Sequence, residues 1–300
     1  MKNMPIIFND IGLHETIQEM TSEMPFMISV RDLHNYRDNR ISWQWHPEVE
    51  LFYMLEGRME YRTARGIYVF EKGDAGFVNS ELLHYTSCNK EDTCKQKVFI
   101  FMPHFIGGMQ GSAIDKKYVS PVTDEKRIDV LKFPAGSQFA KDIIEMMQDI
   151  ESTFTERDFA YEIKTREKLA YLWLELMNVV RVAPKKPEIH CADEQRIKQM
   201  LGLIKENYSG KIEVKDIAEA GEVSESECTR CFNRQLGQAP YEYLLDYRIE
   251  MACEMLGDFK DSLKGVASSC GFGNYGNFLK IFKEKTGMTP GEFRANESVK

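Results

Sequence analysis

Gly271-Phe272-Gly273-Asn274-Tyr275-Gly276-Asn277-Phe278-Leu279-Lys280-Ile281-Phe282-Lys283-Glu284-Lys285-Thr286-Gly287-Met288-Thr289-Pro290-Gly291-Glu292-Phe293-Arg294 is the stretch that decides the fold. Gly271-Phe272-Gly273 reads as a tight turn, and Asn274 as the residue that caps the helix after it. Phe282, Gly287, Pro290 and Phe293 are spaced by five, three and three; Phe232, Gly237, Pro240 and Tyr243 repeat that spacing fifty residues earlier. Further upstream, Ile217-Ala218 and Val223 match Val266-Ala267 and Phe272 at an offset of forty-nine. One extra residue in the second turn, Gly273, accounts for the difference. Agreement on both sides of a single insertion marks a duplicated unit.

Each unit reads as a short helix, a tight turn and a second helix. In the first, Val214, Ile217 and Ala218 form the apolar face, and Gly221 ends the helix. Ser224 with Glu227 three residues on predicts a capping box. A turn of a few residues containing glycine between two helices is the helix-turn-helix pattern. Between the units, Pro240 opens a helix. Leu244, Leu245, Ile249, Ala252, Met255 and Leu256 make that helix one long amphipathic connector, which would fix the separation of the two units.

The second unit resembles the AraC family of regulators through Gly271-Phe272, Asn274, Phe278, Phe282-Lys283, Gly287, Thr289-Pro290 and Phe293-Arg294. The first unit is similar more loosely, through Ile217-Ala218, Ser224, Arg230, Phe232, Gly237, Pro240 and Arg248. The resemblance covers roughly residues 195–295. It implies a seven-helix domain that sets two recognition helices in successive major-groove segments of double-stranded promoter DNA, roughly 34 Å apart. On that resemblance, Ser226, Glu227, Thr229 and Arg230 face DNA from the first unit, and Tyr275, Gly276, Asn277 and Lys280 from the second. Their chemistry suits base reading: Arg230 for guanine, Asn277 for adenine, Thr229 for a thymine methyl or a phosphate. Arg234, Lys283 and Lys285 lie near enough to meet phosphates.

Composition alone points elsewhere. The 300-residue chain carries a net charge of −8, and from Asp193 onward 15 basic residues face 18 acidic ones, whereas many nucleic-acid binders are basic. Glu222, Glu225 and Glu227 crowd the start of the first recognition helix, so the second is expected to be the cleaner anchor. The length fits two domains. Val98–Met109, the most apolar run, is too short and interrupted to span a bilayer, and the N-terminus has no secretory pattern. Seven cysteines, an odd number in a chain this large, fit reduced thiols in the cytoplasm.

The first 110 residues are short β-rich runs with turn punctuation, indicating a sandwich or small barrel. His46, Glu50 and Gly57 follow the first cupin motif, with Gln44 where that motif has a second histidine; Gly73-Asp74 leading through Asn79 to His84 resembles the second motif. On one continuous strand, Gln44, His46 and Glu50 would share a face, while Trp43, Trp45 and Tyr53 would share the opposite one. The quartet Gln44, His46, Glu50 and His84 is therefore the expected effector pocket. A small organic effector such as a carbohydrate, a structural remnant and a metal site all remain open for it, and the missing histidine argues against tight metal binding. Residues 137–181 read as two amphipathic helices whose stripes pack on the barrel, on each other or across a dimer. Ala183-Pro184-Lys185-Lys186-Pro187-Glu188 reads as a linker.

The expected fold is α+β multidomain, with an N-terminal cupin-like β-barrel with flanking helices and a C-terminal all-α double helix-turn-helix domain. The expected divisions are 1–136 for the barrel, 137–182 for a helical pair with a dimerising role, 183–192 for the linker and 193–300 for the DNA-binding domain. Cys228 and Cys231 have C-x-x-C spacing but no second pair, and read as packing. Cys88 and Cys94 flank a polar loop, where a thiol switch is conceivable. No glycine-rich phosphate loop or nucleophile elbow is present, so no cofactor, resident metal or catalytic residue is assigned. The reading is a sequence-specific transcription activator acting as a homodimer, meeting DNA, a small-molecule effector and RNA polymerase, without a membrane. The alternative is a metal-dependent cupin enzyme with a helical appendage.

Overall fold

The computed structural model describes residues 20–89, 91–125, 128–182, 191–257 and 261–297. They divide into two compact units, one ending at Cys191 and the other beginning at Ala192. Among the described residues the first unit holds eight antiparallel strands: β1 (Phe26–Asp32), β2 (Arg40–Gln44), β3 (Val49–Thr63), β4 (Gly66–Glu71), β5 (Ala75–Val78), β6 (His84–Ser87), β7 (Cys94–Phe101) and β8 (Val130–Phe133). Two short helices, α1 (Pro103–Gly107) and α2 (Ser120–Thr123), precede β8, and two long ones, α3 (Gln138–Glu156) and α4 (Tyr161–Val182), follow it.

The fifteen-residue β3 organises the sheet. Its first half pairs with β7 and β5, and its second half with β4 and β6. The register against β7 shifts between Met54 and Glu56, and Gly57 follows with φ +70°. A Cβ on Gly57 would lie 1.5 Å from the Thr93 carbonyl oxygen, so only glycine lets the strand bend here. That bend carries one strand from one wall of the sheet to the other and encloses a cupin-like barrel.

Alternation along the strands then separates two cores. Val49, Leu51 and Tyr53 of β3, with Phe99 and Phe101 of β7, pack against Ile143, Met147 and Ile150 of α3 and Leu169, Leu172, Trp173 and Leu176 of α4. Phe52 and Met54, with Val98 and Ile100, turn the other way and meet Met59, Tyr61 and Phe70 inside the barrel. Of the three packings left open for the helical stripes, the buried stripes lie on the sheet of their own chain. Trp173 closes the contact by donating its indole N–H to the Tyr118 carbonyl at 2.8 Å.

Among the described residues the second unit has seven helices: α5 (Cys191–Asn207), α6 (Val214–Ala220), α7 (Glu225–Leu236), α8 (Pro240–Gly257), α9 (Leu263–Ser269), α10 (Tyr275–Thr286) and α11 (Pro290–Glu297). Of the stretch read as linker, 183–190 lies outside the described residues. Cys191 and Ala192 are not linker but the start of α5, whose first turn is favoured by Asp193 and Glu194.

The duplication is exact in backbone terms: α6 recurs as α9 after forty-nine residues, and α7 as α10 after fifty. Equivalent hydrogen bonds recur with it. Val223 N–H donates to Ala218 O at 3.0 Å, as Phe272 N–H does to Ala267 O at 2.9 Å. Gly237 and Gly287 cap α7 and α10 in the left-handed region, at φ +74° and +78°. The two turns differ in detail. In the first, the left-handed residue is Glu222 (φ 53°), and a Cβ on Gly221 would press on the Met200 side chain, 2.9 Å from its Cγ. In the second, Gly271 itself is left-handed at φ +76°.

Arg248, mid-way along α8, is 6% exposed. Its Nε and Nη2 donate to the carbonyls of Tyr208 and Gly210 at 2.8 and 2.7 Å, and its guanidinium lies 5.9 Å from the Phe272 ring centroid. A Cβ on Gly271 would stand 2.4 Å from Tyr208 O and 2.9 Å from Arg248 Nη2, whereas one on Gly237 meets nothing within 4 Å. Gly237→Ala should therefore cost only the left-handed penalty, about 1–2 kcal/mol. Gly271→Ala should cost clearly more at nearly the same φ. Helical circular dichroism during denaturant unfolding measures both, and equal losses would refute the close approach.

Candidate functional site

The recognition-helix residues sort cleanly by exposure. In α10, Phe278 and Phe282 are fully buried, while Gly276, Asn277 and Lys280 are exposed and Tyr275 is half-buried, its ring stacked on Phe278 at 6.2 Å. Asn274 caps the helix by accepting from Asn277 N–H at 2.9 Å, which leaves the Asn277 side chain outward with no hydrogen bond among the described residues. In α7, Cys228, Cys231 and Phe232 are fully buried; Ser226 and Arg230 are exposed, and Glu227 and Thr229 half-buried. Burial raises the Cys228 thiol to about 11 and also raises Cys231, as packing residues require.

The capping box expected at Ser224 forms by half. Ser224 Oγ accepts from Glu227 N–H at 3.3 Å, but the Glu227 carboxylate faces Arg230 at 3.3 Å and Arg234 at 3.7 Å. Two cations nearby outcompete one backbone N–H for a carboxylate. A reciprocal box forms instead at α6, between Glu213 and Asp216. Arg234 also reaches Asp193 at 2.7 Å, so it ties α5 to α7. Thr229 Oγ1 donates back to Glu225 O at 3.0 Å.

In the sensor unit, Gln44, His46, Glu50 and His84 come together and are each only 1–2% exposed. Gln44 ends β2, Glu50 lies on the inner face of β3, and His84 begins β6. His46 is not on a continuous strand, as its parity assumed. The strand breaks at 46–48 around Pro47, because proline supplies no ladder N–H, and this turn delivers the imidazole to the cluster. His46 Nε2 is 3.3 Å from Glu50 Oε1, and the two imidazole rings are perpendicular with centroids 5.2 Å apart.

The tautomer of His84 follows from its partners. Nδ1 lies 2.8 Å from the Leu82 carbonyl, which can only accept, so Nδ1 carries the proton and Nε2 is left bare toward Gln44 Nε2 at 3.2 Å. Burial, with His46 alongside, lowers His84 to about 3 and keeps it neutral. Burial pushes the Glu50 carboxyl upward, but the Arg31 guanidinium, His46 and His84 outweigh it, and Glu50 sits well below the ordinary carboxylate range.

Three neighbours were not singled out in the sequence. Arg31 of β1 donates to Glu50 Oε1 at 2.9 Å, Glu48 Oε2 lies 3.4 Å from His46 Nδ1, and the Tyr61 ring stacks on His84 at 5.0 Å. The usable signal was an arginine ending the apolar run Met27-Ile28-Ser29-Val30, and two glutamates either side of Val49. Other motif residues hold the scaffold. Asp74 accepts from Glu71 N–H, Ala135 N–H and Lys132. The Asn79 amide donates to Val122 O and Ile128 O, both at 2.9 Å. Tyr53 lies in the core under the helices, whereas Trp43 packs at a tilt beside Tyr85.

Comparison with known proteins agrees with this two-part geometry. A model of the AraC-like ligand binding domain matches residues 29–173, and a helix-turn-helix domain model matches residues 217–296. The chain belongs to the AraC family of transcriptional regulators. Among its relatives, the HTH-type regulator YdeC of Bacillus subtilis is 27% identical over 299 residues, 99% of this chain and 100% of that one. The melibiose operon regulatory protein of Escherichia coli K12 is 29% identical over 98 residues, 33% of this chain and 32% of that one. A crystal structure of ToxT from Vibrio cholerae covers 90% of this chain and 98% of its own at 13% identity and a TM-score of 0.45. This AraC-family regulator thus combines a ligand-binding domain with a DNA-binding helix-turn-helix domain. No helix among its described residues is long and apolar enough to cross a membrane.

Arg31 and Glu50 form a buried pair, so removing the guanidinium leaves the Glu50 carboxylate beside His46 without its permanent cation. Arg31→Met should destabilise the sensor by about 3–5 kcal/mol, and Arg31→Met combined with Glu50→Gln should recover much of that loss. All three tryptophans, Trp43, Trp45 and Trp173, lie in the sensor unit, so their fluorescence reads its unfolding alone. Additive losses in the double variant would show that the two groups do not interact.

Proposed function

We propose that this regulator reads promoter DNA with Ser226, Glu227, Thr229 and Arg230 of α7 and Tyr275, Gly276, Asn277 and Lys280 of α10. The observation that carries the reading is the polarity of α10. Phe278 and Phe282 anchor its inner side, while Gly276, Asn277 and Lys280 stand exposed on its first turns. An amide and an ammonium, with a glycine just before the amide, suit close approach to base edges and backbone. The α7 face contributes more selectively, because Arg230 must leave Glu227 before it can meet a base.

The sensor quartet Gln44, His46, Glu50 and His84 is proposed to take a small organic effector. Its imidazoles, carboxylate and amide, walled by Tyr61, suit a polyhydroxylated molecule. Similarity to a regulator named for the melibiose operon favours a carbohydrate. Phe159, Ile163, Tyr171 and Leu174 are 94%, 70%, 61% and 47% exposed, on and just before α4. This apolar face supports homodimerisation through the helical pair 137–182, which would bring two DNA-binding domains onto adjacent sites. The proposed outcome is activation through contact with RNA polymerase.

Lys280→Ala and Asn277→Ala should each weaken operator binding by about 1–3 kcal/mol and leave melting of the helical unit unchanged. Affinity measured on fragments selected from genomic DNA checks this, and binding that is unaffected by either change, or insensitive to salt, would remove the DNA reading. Gln44→Ala and His46→Ala should abolish the effector's influence on that affinity while effector-free binding persists. A normal response in both variants would move the pocket elsewhere.

A further inference from the structure

Four charged side chains alternate in sign across the contact between α5 and α7. Asp193, in the first turn of α5, accepts from Arg234 Nη2 at 2.7 Å, and its other oxygen lies 3.4 Å from Arg196 Nη1. The same Arg234 nitrogen stands 3.7 Å from Glu227 Oε1. Glu227 Oε2 in turn lies 3.3 Å from Arg230 Nε. The order is therefore Asp193, Arg234, Glu227, Arg230, from a carboxylate side chain 13% exposed to a guanidinium side chain 67% exposed.

Arg230 and Arg234 are one turn apart on α7, where like charges repel, and Glu227 is shared between them. The closer one cation comes to a shared carboxylate, the less firmly the other is held. Asp193 biases that competition. At 2.7 Å, and sheltered from solvent, it draws Arg234 away from Glu227 and leaves Glu227 to Arg230. The Cys231 thiol, fully buried, adds a fixed point, because Arg234 Nη2 also meets its Sγ at 3.4 Å. Arg230 Nε is held back a second time by the Ser226 carbonyl at 3.3 Å. A carboxylate on another helix thus governs how tightly the exposed arginine of α7 is held. Asp193 lies outside the stretch 217–296 matched as a helix-turn-helix domain and is buried, so this influence needs no contact with DNA.

We propose that Asp193 is a positioning residue for base reading by α7: by occupying Arg234 it leaves Glu227 on Arg230, and so restrains the discrimination Arg230 exerts on its base pair. This rests on reading α7 as a DNA-facing helix. The Arg230 guanidinium suits guanine, whose O6 and N7 both accept. When Asp193 loses its charge, Arg234 turns to Glu227 and Arg230 is released to the base.

The full chain and an operator fragment selected from genomic DNA test the proposal. Discrimination is measured as the ratio of affinities for that fragment and for copies changed at single base pairs. Arg230→Ala first identifies the base pairs whose discrimination depends on Arg230. At those pairs Asp193→Asn should raise the ratio about twofold to fivefold, the worth of one exposed ion pair. Glu227→Gln should raise it as well, and Asp193→Asn added to Glu227→Gln should then change nothing. Arg234→Gln should lower it, whereas loss of a phosphate contact weakens all sequences alike and leaves the ratio unmoved. Helical circular dichroism shows which variants fold; if Asp193→Asn does not, Arg234→Gln decides. A ratio unchanged, or moved the opposite way, in the deciding variant overturns the proposal. So does a gain from Asp193→Asn that persists beside Glu227→Gln, which marks simple removal of negative charge. If no base pair depends on Arg230, the reading of α7 falls together with the proposal; if such pairs exist and the ratio fails to move, the proposal falls alone.

Discussion

A buried guanidinium with only backbone carbonyls to satisfy it holds the DNA-binding unit together. Burying a charge is costly unless its hydrogen bonds are met, and Arg248 meets them with Tyr208 O and Gly210 O, just beyond α5. The same side chain lies against Phe272 in the second turn, where Gly271 must lack a side chain for it to fit. Arg248 is carried by α8, the connector between the two repeats. The end of α5, the connector and the second turn are therefore one network. Lys285 of α10 adds a second tie to α8 through Asp246 at 2.7 Å. Two short helix-turn-helix units bury little apolar surface each, and such cross-links make their mutual placement a property of the whole unit.

The sensor unit is built around a different constraint, the bend of β3 at Gly57. One strand serves two walls, so a single alternation of side chains supplies both the core under α3 and α4 and the barrel interior. Glu50 belongs to the interior set by this alternation alone. Packing of Leu51 and Tyr53 against the helices fixes which face that is, because a one-residue slip would exchange the two sets. The polar cluster is thus positioned by hydrophobic contacts on the opposite side of the same strand. His46 arrives by another route, through the turn around Pro47, which is freed from the ladder and can aim its imidazole inward.

What could be read in the sequence was whatever repeats or alternates. The offset of forty-nine, then fifty, with Gly273 as the insertion, located α6, α7, α9 and α10 because periodic spacing is a one-dimensional signal. Gln44, His46, Glu50 and His84 were found through motif spacing, and they do converge. Arg31 and Glu48 were missed because their roles depend on partners across the sheet or around a turn. Arg31 meets Glu50 nineteen residues away, through β1 and β3 both pairing with β7. Arg248 was visible as a family position, yet its partners, about forty residues upstream, leave no periodic trace. The half-formed capping box fails for the same kind of reason: Arg230 and Arg234 compete for Glu227 from later turns of the helix.

These charge contacts bear on how an acidic chain can engage an acidic polymer. Within α7, Glu225 and Glu227 offset Arg230 and Arg234, so the helix brings no net positive charge to DNA. Within α10, Lys280, Lys283 and Lys285 outnumber Glu284, and even with Lys285 paired to Asp246 of α8 the helix keeps a net positive charge. Phosphate attraction scales with the cations delivered, so on the proposed reading α10 supplies most of the long-range pull. Engagement of α7 then requires Arg230 to exchange a carboxylate 3.3 Å away for a base edge. That exchange is close to balanced electrostatically, which makes it sensitive to geometry. On the proposed homodimer reading, a first reading helix held near balance can be tipped by a small shift in how two copies are presented to DNA, without a large change in intrinsic affinity.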